Sequence, residues 1–131
     1  MGRNWEKVRS FSLERDDSVP LAVHGDQITC CSVWENEITA YSLSGELLRT
    51  HSGFGDIGVS QFNHLTLCDV DDDDRALVID YNNDRLQVMS GQGEFSVLQL
   101  APPVAMPNRA VLFNDCLYLV SHYDRFIHKY G

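Results

Sequence analysis

Residues 77–95 read LVIDYNNDRLQVMSGQGEF, and this stretch decides the fold predicted for the chain. Apolar residues within 77–79 and 85–89 flank the segment DYNND, and the segment SGQG then leads to Phe95. Asp, Asn, Ser and Gly tolerate tight reversals of the backbone. Alternating apolar residues such as Leu86 and Val88 place one face of a strand against a core. The stretch therefore predicts three antiparallel strands of a small meander, with no helix.

The same pattern occurs earlier in the chain. The spacing from Ile38 to Leu86 equals the spacing from Gly45 to Gly93. The apolar positions and the glycine-containing turn are kept, whereas the polar residues of the first turn differ. This earlier segment is therefore predicted to be a degenerate copy of the same meander.

A third copy is predicted near the end of the sequence. When Phe126 is aligned with Leu86, the pair DR at 124–125 aligns with DR at 84–85. In this alignment the turn of the third copy is one residue shorter. Repeats of roughly 40 residues with about four strands each are typical of β-propeller blades. We therefore predict an all-β partial propeller of about three four-stranded antiparallel blades.

The polar residues of the central copy carry a family resemblance. The pattern DxxNxRLxV at residues 80–88, followed by GEF at residues 93–95, resembles the signature of an NHL repeat. The chain is similar in this respect to the C-terminal part of tripartite-motif (TRIM) proteins of the NHL class. The resemblance implies an NHL-type propeller that presents a rim of loops to protein or RNA partners.

The repeats divide the chain into four segments. Residues 1–18 are predicted to be the remnant of a preceding blade, and residues 19–58, 59–100 and 101–131 are predicted to be blades. Alternation from Trp5 to Leu13 favours a strand in the remnant. Because NHL propellers close with about six blades, either two copies form one ring as a homodimer or the chain is half of a larger protein.

Composition restricts the classes of function. The chain has 131 residues and a net charge of -9, so its charge disfavours nucleic acid while not excluding it. No apolar run reaches the roughly 18 residues that a membrane span needs, and no signal peptide is evident. We expect buried free thiols, a cytoplasmic location and no membrane association. The cysteines are Cys30, Cys31, Cys68 and Cys116.

The signature residues Asp80, Asn83 and Arg85 are predicted to act structurally. Asn83 is expected to adopt a positive φ in the turn, and Asp80 is expected to cap the backbone amides of the turn. Arg85 is expected to bridge to a carboxylate of its own or the next blade. No catalytic residue follows from these three side chains.

Other polar features do not predict a metal, a cofactor or a catalytic centre. The acidic run at Asp69 and residues 71–74 lacks the glycine and distal glutamate of an EF-hand loop, and a solvated turn explains it. The histidines show no metal-binding spacing. An alternative is a metal-dependent propeller hydrolase or lyase, in which His64, Asp80 or His122 would converge on the central channel.

The candidate rim loops carry aromatic residues and one arginine. Exposed aromatic residues with arginine are typical anchors of protein interfaces, and they also stack on RNA bases. We therefore predict a non-catalytic interaction module for a protein partner, with an RNA-binding surface as an alternative. The predicted binding residues are Trp34, Tyr81, His122, Tyr123 and Arg125.

Overall fold

The computed structural model of the chain describes residues 4–13, 18–32, 35–53, 55, 58–59, 61–71 and 73–131. Within them, eleven strands form three antiparallel sheets, and each sheet follows chain order. The first sheet contains β1 Ser18–His24, β2 Gln27–Ser32, β3 Glu37–Ser42 and β4 Leu47–Ser52. The second contains β5 Leu65–Val70, β6 Ala76–Asp80, β7 Arg85–Met89 and β8 Phe95–Leu98. The third contains β9 Pro107–Phe113, β10 Cys116–Ser121 and β11 Ile127–Tyr130.

The all-β partial propeller predicted from residues 77–95 is confirmed. This stretch contains β6 from Leu77 onward, all of β7 and the first residue of β8, and a short 3-10 helix at Tyr81–Asn83 forms the first turn. Within the described residues, the third sheet has three strands rather than four, and Gly131 follows β11. The assignment of residues 1–18 and the three blade boundaries stay predictions.

The repeat shared by the first two sheets extends to individual hydrogen bonds. Gly45 and Gly93 have φ values of +96° and +85°, which an L side chain adopts only with strain. In the first sheet the Ser42 hydroxyl accepts a hydrogen bond from the Glu46 N–H at 3.0 Å. In the second sheet the Ser90 hydroxyl accepts from the Glu94 N–H at 3.1 Å. The two turns are therefore the same structure, as the glycine spacing predicted.

The alignment of Phe126 with Leu86 in the third copy is wrong by one position. Ile79 lies opposite Leu86 in the second sheet, and Val120 lies opposite Ile127 in the third. Ile127, and not Phe126, therefore occupies the place of Leu86, and both turns have the same length. The DR pair at 84–85 misled the alignment because two matching letters carry less information than the alternation of faces along the strand.

The sheets pack face to face in sequence order. We call the face of a sheet that points to the preceding sheet its upstream face, and the opposite one its downstream face. Cys31 and Ile38 on the downstream face of the first sheet contact Val78 and Met89 of the second. Contacts also join β1 to β5 and β5 to β9, so the first strand of each sheet lies on the inner side of the arc.

The second junction repeats this arrangement with a larger apolar cluster. Leu77, Ile79 and Leu86 on the downstream face of the second sheet contact Leu117 and Leu119 of the third. All five side chains are buried. Because each sheet is apolar on both faces, each depends on a neighbour on either side to shield it from water.

The strand favoured from Trp5 to Leu13 is absent, since residues 4–13 form no regular secondary structure. Trp5 and Val8 are 85% and 89% exposed. Phe11 instead packs on the upstream face of the first sheet, with its ring centroid 6.1 Å from that of Tyr41. Alternation did not produce a strand here because the segment lies on the face of a sheet rather than along an edge that could pair with it.

Candidate functional site

The predicted binding residues lie on the turns that join the second and third strands of each sheet. Tyr81 begins the β6–β7 turn, and His122, Tyr123 and Arg125 belong to the β10–β11 turn. Trp34 lies outside the described residues. The connectors between sheets end on the same side of the molecule as these turns, since each connector leads into the first strand of the next sheet.

Tyr81 and His122 meet at the junction of the second and third sheets. Their ring centroids are 5.8 Å apart in an edge-to-face arrangement. The ring centroid of His64, which immediately precedes β5, lies 5.5 Å from that of Tyr81. Tyr81 is thus close to two imidazoles, each from a different segment of the chain.

Backbone hydrogen bonds place Tyr81 and His122 in equivalent positions. The Tyr81 N–H donates to the carbonyl oxygen of His64 at 3.2 Å, and the His122 N–H donates to that of Met106 at 3.0 Å. Tyr81 and His122 each directly follow the second strand of a sheet. Each turn is therefore anchored to the connector that precedes its own sheet.

These rings border a cleft of about 280 Å³. Its other walls come from the first strands of the second and third sheets and from the end of β6. Two residues of these walls, Thr66 and Asn108, have side chains that can form hydrogen bonds. The lining consists of His64, Thr66, Ile79, Tyr81, Pro107, Asn108 and His122.

Tyr123 and Arg125 are exposed beside this cleft, and Tyr123 is 74% exposed. Asp124 lies between them and accepts hydrogen bonds from the Phe126 N–H at 3.0 Å and from His128. The hydrogen bond from the Phe126 N–H is the main reason that the pKa of Asp124 lies below its ordinary value; desolvation opposes it, and the hydrogen bond and charge of His128 lower the pKa further. The turn therefore carries a carboxylate next to Arg125 at neutral pH.

The side chains of the signature residues Asp80, Asn83 and Arg85 bind the connector between the first and second sheets. We call these three residues the connector clamp. Arg85 Nε lies 2.8 Å from Asp80 Oδ2, and the Asp80 side chain is fully buried. Another Arg85 nitrogen, Nη2, donates to the carbonyl oxygens of Gly58 and Gln61 at 2.7 and 2.9 Å. Two nitrogens of the guanidinium are thus used within the fold.

Asn83 completes this connector clamp. Its Nδ2 donates to Asp80 at 3.0 Å and to the carbonyl oxygen of Gly55 at 2.8 Å. Asp80 Oδ1 also accepts from the Asn63 N–H at 2.8 Å. Asp80, Asn83 and Arg85 therefore fix the connector to the second sheet at several points, and their polar groups are engaged inside the fold.

Two details predicted for these residues are wrong. The residue with positive φ in the turn is Asp84, at +55°, and not Asn83. Asp80 makes no side-chain capping hydrogen bond to the 3-10 helix. Both differences follow from the helical turn, which ends in a left-handed residue one position later than expected and leaves Asp80 free to accept from the connector.

A pair of inter-sheet hydrogen bonds was not predicted. Asn36 Oδ1 accepts from the His64 N–H at 2.7 Å, and Asp84 Oδ1 accepts from the Met106 N–H at 2.6 Å. Asn36 and Asp84 hold the same position in the first and second repeats, and both have positive φ, at +53° and +55°. The occurrence of Asn and Asp at matching repeat positions could have indicated this feature in the sequence, since these residues adopt a positive φ more readily than most.

The acidic run forms a turn closed by its own arginine. Asp71 Oδ2 accepts from Arg75 Nε at 2.7 Å, and Asp71 Oδ1 accepts from the Asp73 and Arg75 N–H groups. Burial would raise the pKa of Asp71, but the hydrogen bonds and charge of Arg75 outweigh it and lower that pKa. Among the described residues, no group of three or more His, Cys, Asp or Glu side chains could hold a metal ion.

No protein-family model matches the chain, and no curated protein matches it. Several solved β-propeller structures are similar to it in fold. The selenomethionine form of virginiamycin B lyase from Staphylococcus aureus superposes with a TM-score of 0.66 at 12% identity, over 92% of this chain and 43% of that one. A streptogramin B lyase gives a TM-score of 0.65 at 13% identity, over 92% and 43%.

A catalytically inactive variant of the Staphylococcus aureus lyase with quinupristin gives a TM-score of 0.62 at 14% identity, over 95% of this chain and 45% of that one. The chain thus spans less than half the length of each of these three structures. At these identities the likeness establishes a β-propeller fold. Across the described part of the chain, no helix has the length and apolar character that crossing a membrane requires.

Proposed function

We propose that the chain is a non-catalytic propeller module of the NHL type that binds a protein partner through its rim. The rim is defined as Tyr81, His122, Tyr123 and Arg125, on the β6–β7 and β10–β11 turns. The observation that supports it best is the meeting of Tyr81 and His122 at one cleft, with exposed Tyr123 beside them. Tyrosine and arginine are among the residues that contribute most to protein interfaces.

The size of the cleft favours a single inserted side chain. A volume of about 280 Å³ falls just below the range of sites for drug-sized ligands. A partner loop that inserts one aromatic or aliphatic side chain would pack against the Tyr81 and His122 rings. Thr66 and Asn108 would meet its polar groups, and Tyr123 and Arg125 would contact the flanking residues.

Peptide selection tests this proposal directly. Peptides selected from a random display library on the immobilised chain are expected to bind the wild type and to lose at least about tenfold in affinity on Tyr123→Ala, as a hot-spot residue would. His122→Ala is expected to have a similar effect. Leu43→Ser is the matched control, since Leu43 is 56% exposed and lies in the β3–β4 turn, at the opposite end of a sheet from the rim turns. Peptides insensitive to the rim substitutions but lost on Leu43→Ser would refute the proposal.

RNA binding is the alternative use of the same rim. Stacking on Tyr81 and Tyr123 would suit unpaired bases, but Asp124 remains ionised next to Arg125 and the chain carries a net charge of -9. Phosphate contacts are therefore opposed on this turn. A mobility shift with single-stranded RNA at physiological salt, lost on Tyr123→Ala, would favour RNA over protein.

A metal-dependent hydrolase or lyase is the remaining alternative, and stoichiometric Ca²⁺ or Zn²⁺ in the purified chain by elemental analysis would favour it.

The proposed setting is a cytoplasmic protein similar to the NHL part of TRIM proteins. In support, Cys30 and Cys116 are free thiols among the described side chains, as a reducing compartment allows. Burial raises the pKa of the Cys30 thiol, which keeps that thiol unreactive.

A further inference from the structure

The downstream face of the third sheet is an exposed apolar surface. Val111, Phe113 and Ile127 are 53%, 65% and 74% exposed. Strand pairing puts them on the same side as Tyr118 and Val120, since Tyr118 lies opposite Val111 and Val120 lies opposite Ile127. We call these five residues the open face.

The register shows what kind of surface the open face is. With Ile127 aligned to Leu86, Tyr118 and Val120 occupy the places of Leu77 and Ile79. Leu77, Ile79 and Leu86 are buried between the second and third sheets. The open face therefore has the position and the apolar character of a surface on which a further sheet packs.

The other end of the arc carries the complementary surface. Cys30 and Tyr41 lie on the upstream face of the first sheet, and their equivalents in the second sheet, Val78 and Met89, pack on the sheet that precedes them. Here no sheet of the described chain precedes, and Phe11 packs against Tyr41 and over the turn of the first sheet instead. We call this surface the capped face, because a segment of the same chain covers part of it.

We propose that the open face is the docking surface for the capped face of a second copy of this chain, and that residues 4–13 compete for that capped face. Two copies would then meet through two identical contacts around a two-fold axis. Each contact would repeat the sheet-on-sheet packing that the chain already forms twice internally. The result is a closed ring of six sheets, consistent with the four to eight blades of propellers.

The exposed area supports an interface of this size. A monomer of 14.8 kDa is expected to expose about 7,000 Å², whereas this chain exposes 8502 Å². The excess of roughly 1,500 Å², to which the exposed residues 4–13 also contribute, is about what two standard interface patches bury on one partner. One copy contributes two patches to the ring, the open face and the capped face.

Charge distinguishes this arrangement from the contact of two open faces. Arg109 lies opposite Val120 and Lys129 lies opposite Tyr118, so the open face carries two positive charges. The Lys129 ammonium is 5.8 Å from the Tyr118 ring centroid. Packing one open face on another would bring these like charges together, and their repulsion would weaken the contact. The capped face of a second copy presents neither group.

Residues 4–13 are held lightly enough to be displaced. Trp5 and Val8 are largely exposed, and Phe11 itself is 37% exposed. Because Phe11 supplies the aromatic contact with Tyr41, removing its ring should free the capped face. Phe11→Ser is therefore expected to tighten self-association by about tenfold, the effect of losing one competing aromatic contact.

Sedimentation equilibrium of the full chain and its variants tests the proposal. Ile127→Glu places a carboxylate on the open face, where it is exposed and should not affect folding, and is expected to abolish the dimer. Phe11→Ser is expected to raise the dimer fraction, and Val8→Ser, a substitution of an exposed neighbour, is expected to leave it unchanged. Loss of the dimer on Ile127→Glu together with a larger dimer fraction on Phe11→Ser would show that the open face docks on the capped face.

A second measurement does not depend on the folding of any variant. A synthetic peptide of residues 4–13 added to the wild-type chain is expected to lower the dimer fraction, and the same peptide with serine in place of Phe11 is not. A dimer that is lost on Ile127→Glu but unaffected by Phe11→Ser and by the peptide would mean that two open faces pack together, which would overturn the proposal. A dimer that persists with Ile127→Glu would overturn it as well.

Discussion

The turn between the second and third strands has the same length in the second and third sheets, and Asp80 and Ser121 are the residues that directly precede it. In the second sheet this turn carries the buried Asp80–Arg85 ion pair, which holds the preceding connector. In the third sheet the Ser121 hydroxyl donates to the carbonyl oxygen of Ala105 at 2.6 Å and accepts from the Tyr123 N–H at 3.0 Å. Two neutral hydrogen bonds of one hydroxyl thus stand where the second sheet has a charged network. The charged clamp is therefore not what sets the length of the turn.

The apolar faces of the same two sheets differ in burial rather than in pattern. Leu86 is fully buried and Ile127 is 74% exposed, although they occupy equivalent positions. Two features distinguish their surroundings: a further sheet follows the second sheet, and β7 also pairs with β8, whereas β11 is an edge strand among the described residues. The comparison shows that the register creates an apolar face, whereas a neighbour decides whether it contributes to stability.

The largest expected effect comes from breaking the clamp of the second sheet. Arg85→Ala leaves the fully buried Asp80 without its cationic partner, so we expect a loss of about 3–5 kcal/mol in the free energy of unfolding. Ser121→Ala, its counterpart in the third sheet, is expected to cost about 1 kcal/mol. Urea unfolding followed by intrinsic fluorescence measures both. Equal losses would show that the charged clamp contributes no more than a single hydroxyl.

The next largest difference in stability is expected between substitutions of the equivalent residues Leu86 and Ile127. Leu86→Ala is expected to cost about 2–5 kcal/mol because it opens a cavity between two sheets. Ile127→Ala removes an exposed side chain and is expected to change stability by less than about 0.5 kcal/mol in the monomer. The two variants should be compared by urea unfolding at a protein concentration low enough to exclude dimers. A substantial loss for monomeric Ile127→Ala would mean that the third sheet is covered.

The inter-sheet hydrogen bonds of Asn36 and Asp84 have smaller expected effects. Glycine keeps the positive φ of these positions but removes the accepting oxygen. Asn36→Gly and Asp84→Gly are each expected to cost about 1 kcal/mol, and the two losses should add because the sites are in different junctions. Faster hydrogen exchange at the His64 amide for the first variant and at the Met106 amide for the second would confirm the assignment. Asn114→Gly is the control, since Asn114 also has a positive φ, at +50°, but lies in the exposed turn between β9 and β10.

The smallest expected effect is a dependence of stability on pH through Asp71. Its pKa is lowered below the ordinary value of 3.8 in the folded chain. The stabilisation by ionised Asp71 is therefore complete above that ordinary value and is lost as pH falls through the lower folded value. Because Arg75 is half exposed, we expect Asp71→Asn to remove less than about 1 kcal/mol of this acid-dependent stability. Urea unfolding across this pH range measures the effect. The pH dependence of the free energy of unfolding should not change further when Arg75→Ala is added to Asp71→Asn.

Much of the architecture could be predicted from local features of the sequence. Alternation at residues 77–89 and the turn chemistry after Ser90 are decided within a few residues, and β6, β7 and β8 formed as these patterns indicated. The spacing of Gly45 and Gly93 indicated the repeat, because both turns need a glycine at positive φ. These features required no knowledge of which residues meet in space.

The candidate site could be predicted only in part. Aromatic residues on turns identified Tyr81, His122 and Tyr123, but the cleft also depends on Thr66 and Asn108. These two are ordinary strand residues in the sequence. Their contribution arises only when the first strands of two sheets are brought together at the ends of their connectors.

The sequence by itself determined where the strands and turns form and that they repeat, because backbone conformation and alternation are local. Tertiary structure alone decided the one-residue shift of the third repeat, the left-handed conformation at Asp84 and the partners of Tyr81. It also decided that Leu86 is buried and Ile127 exposed. The physical reason is that each of these depends on packing or pairing between distant segments, and identical local patterns have different energies when one has a neighbouring sheet and the other does not.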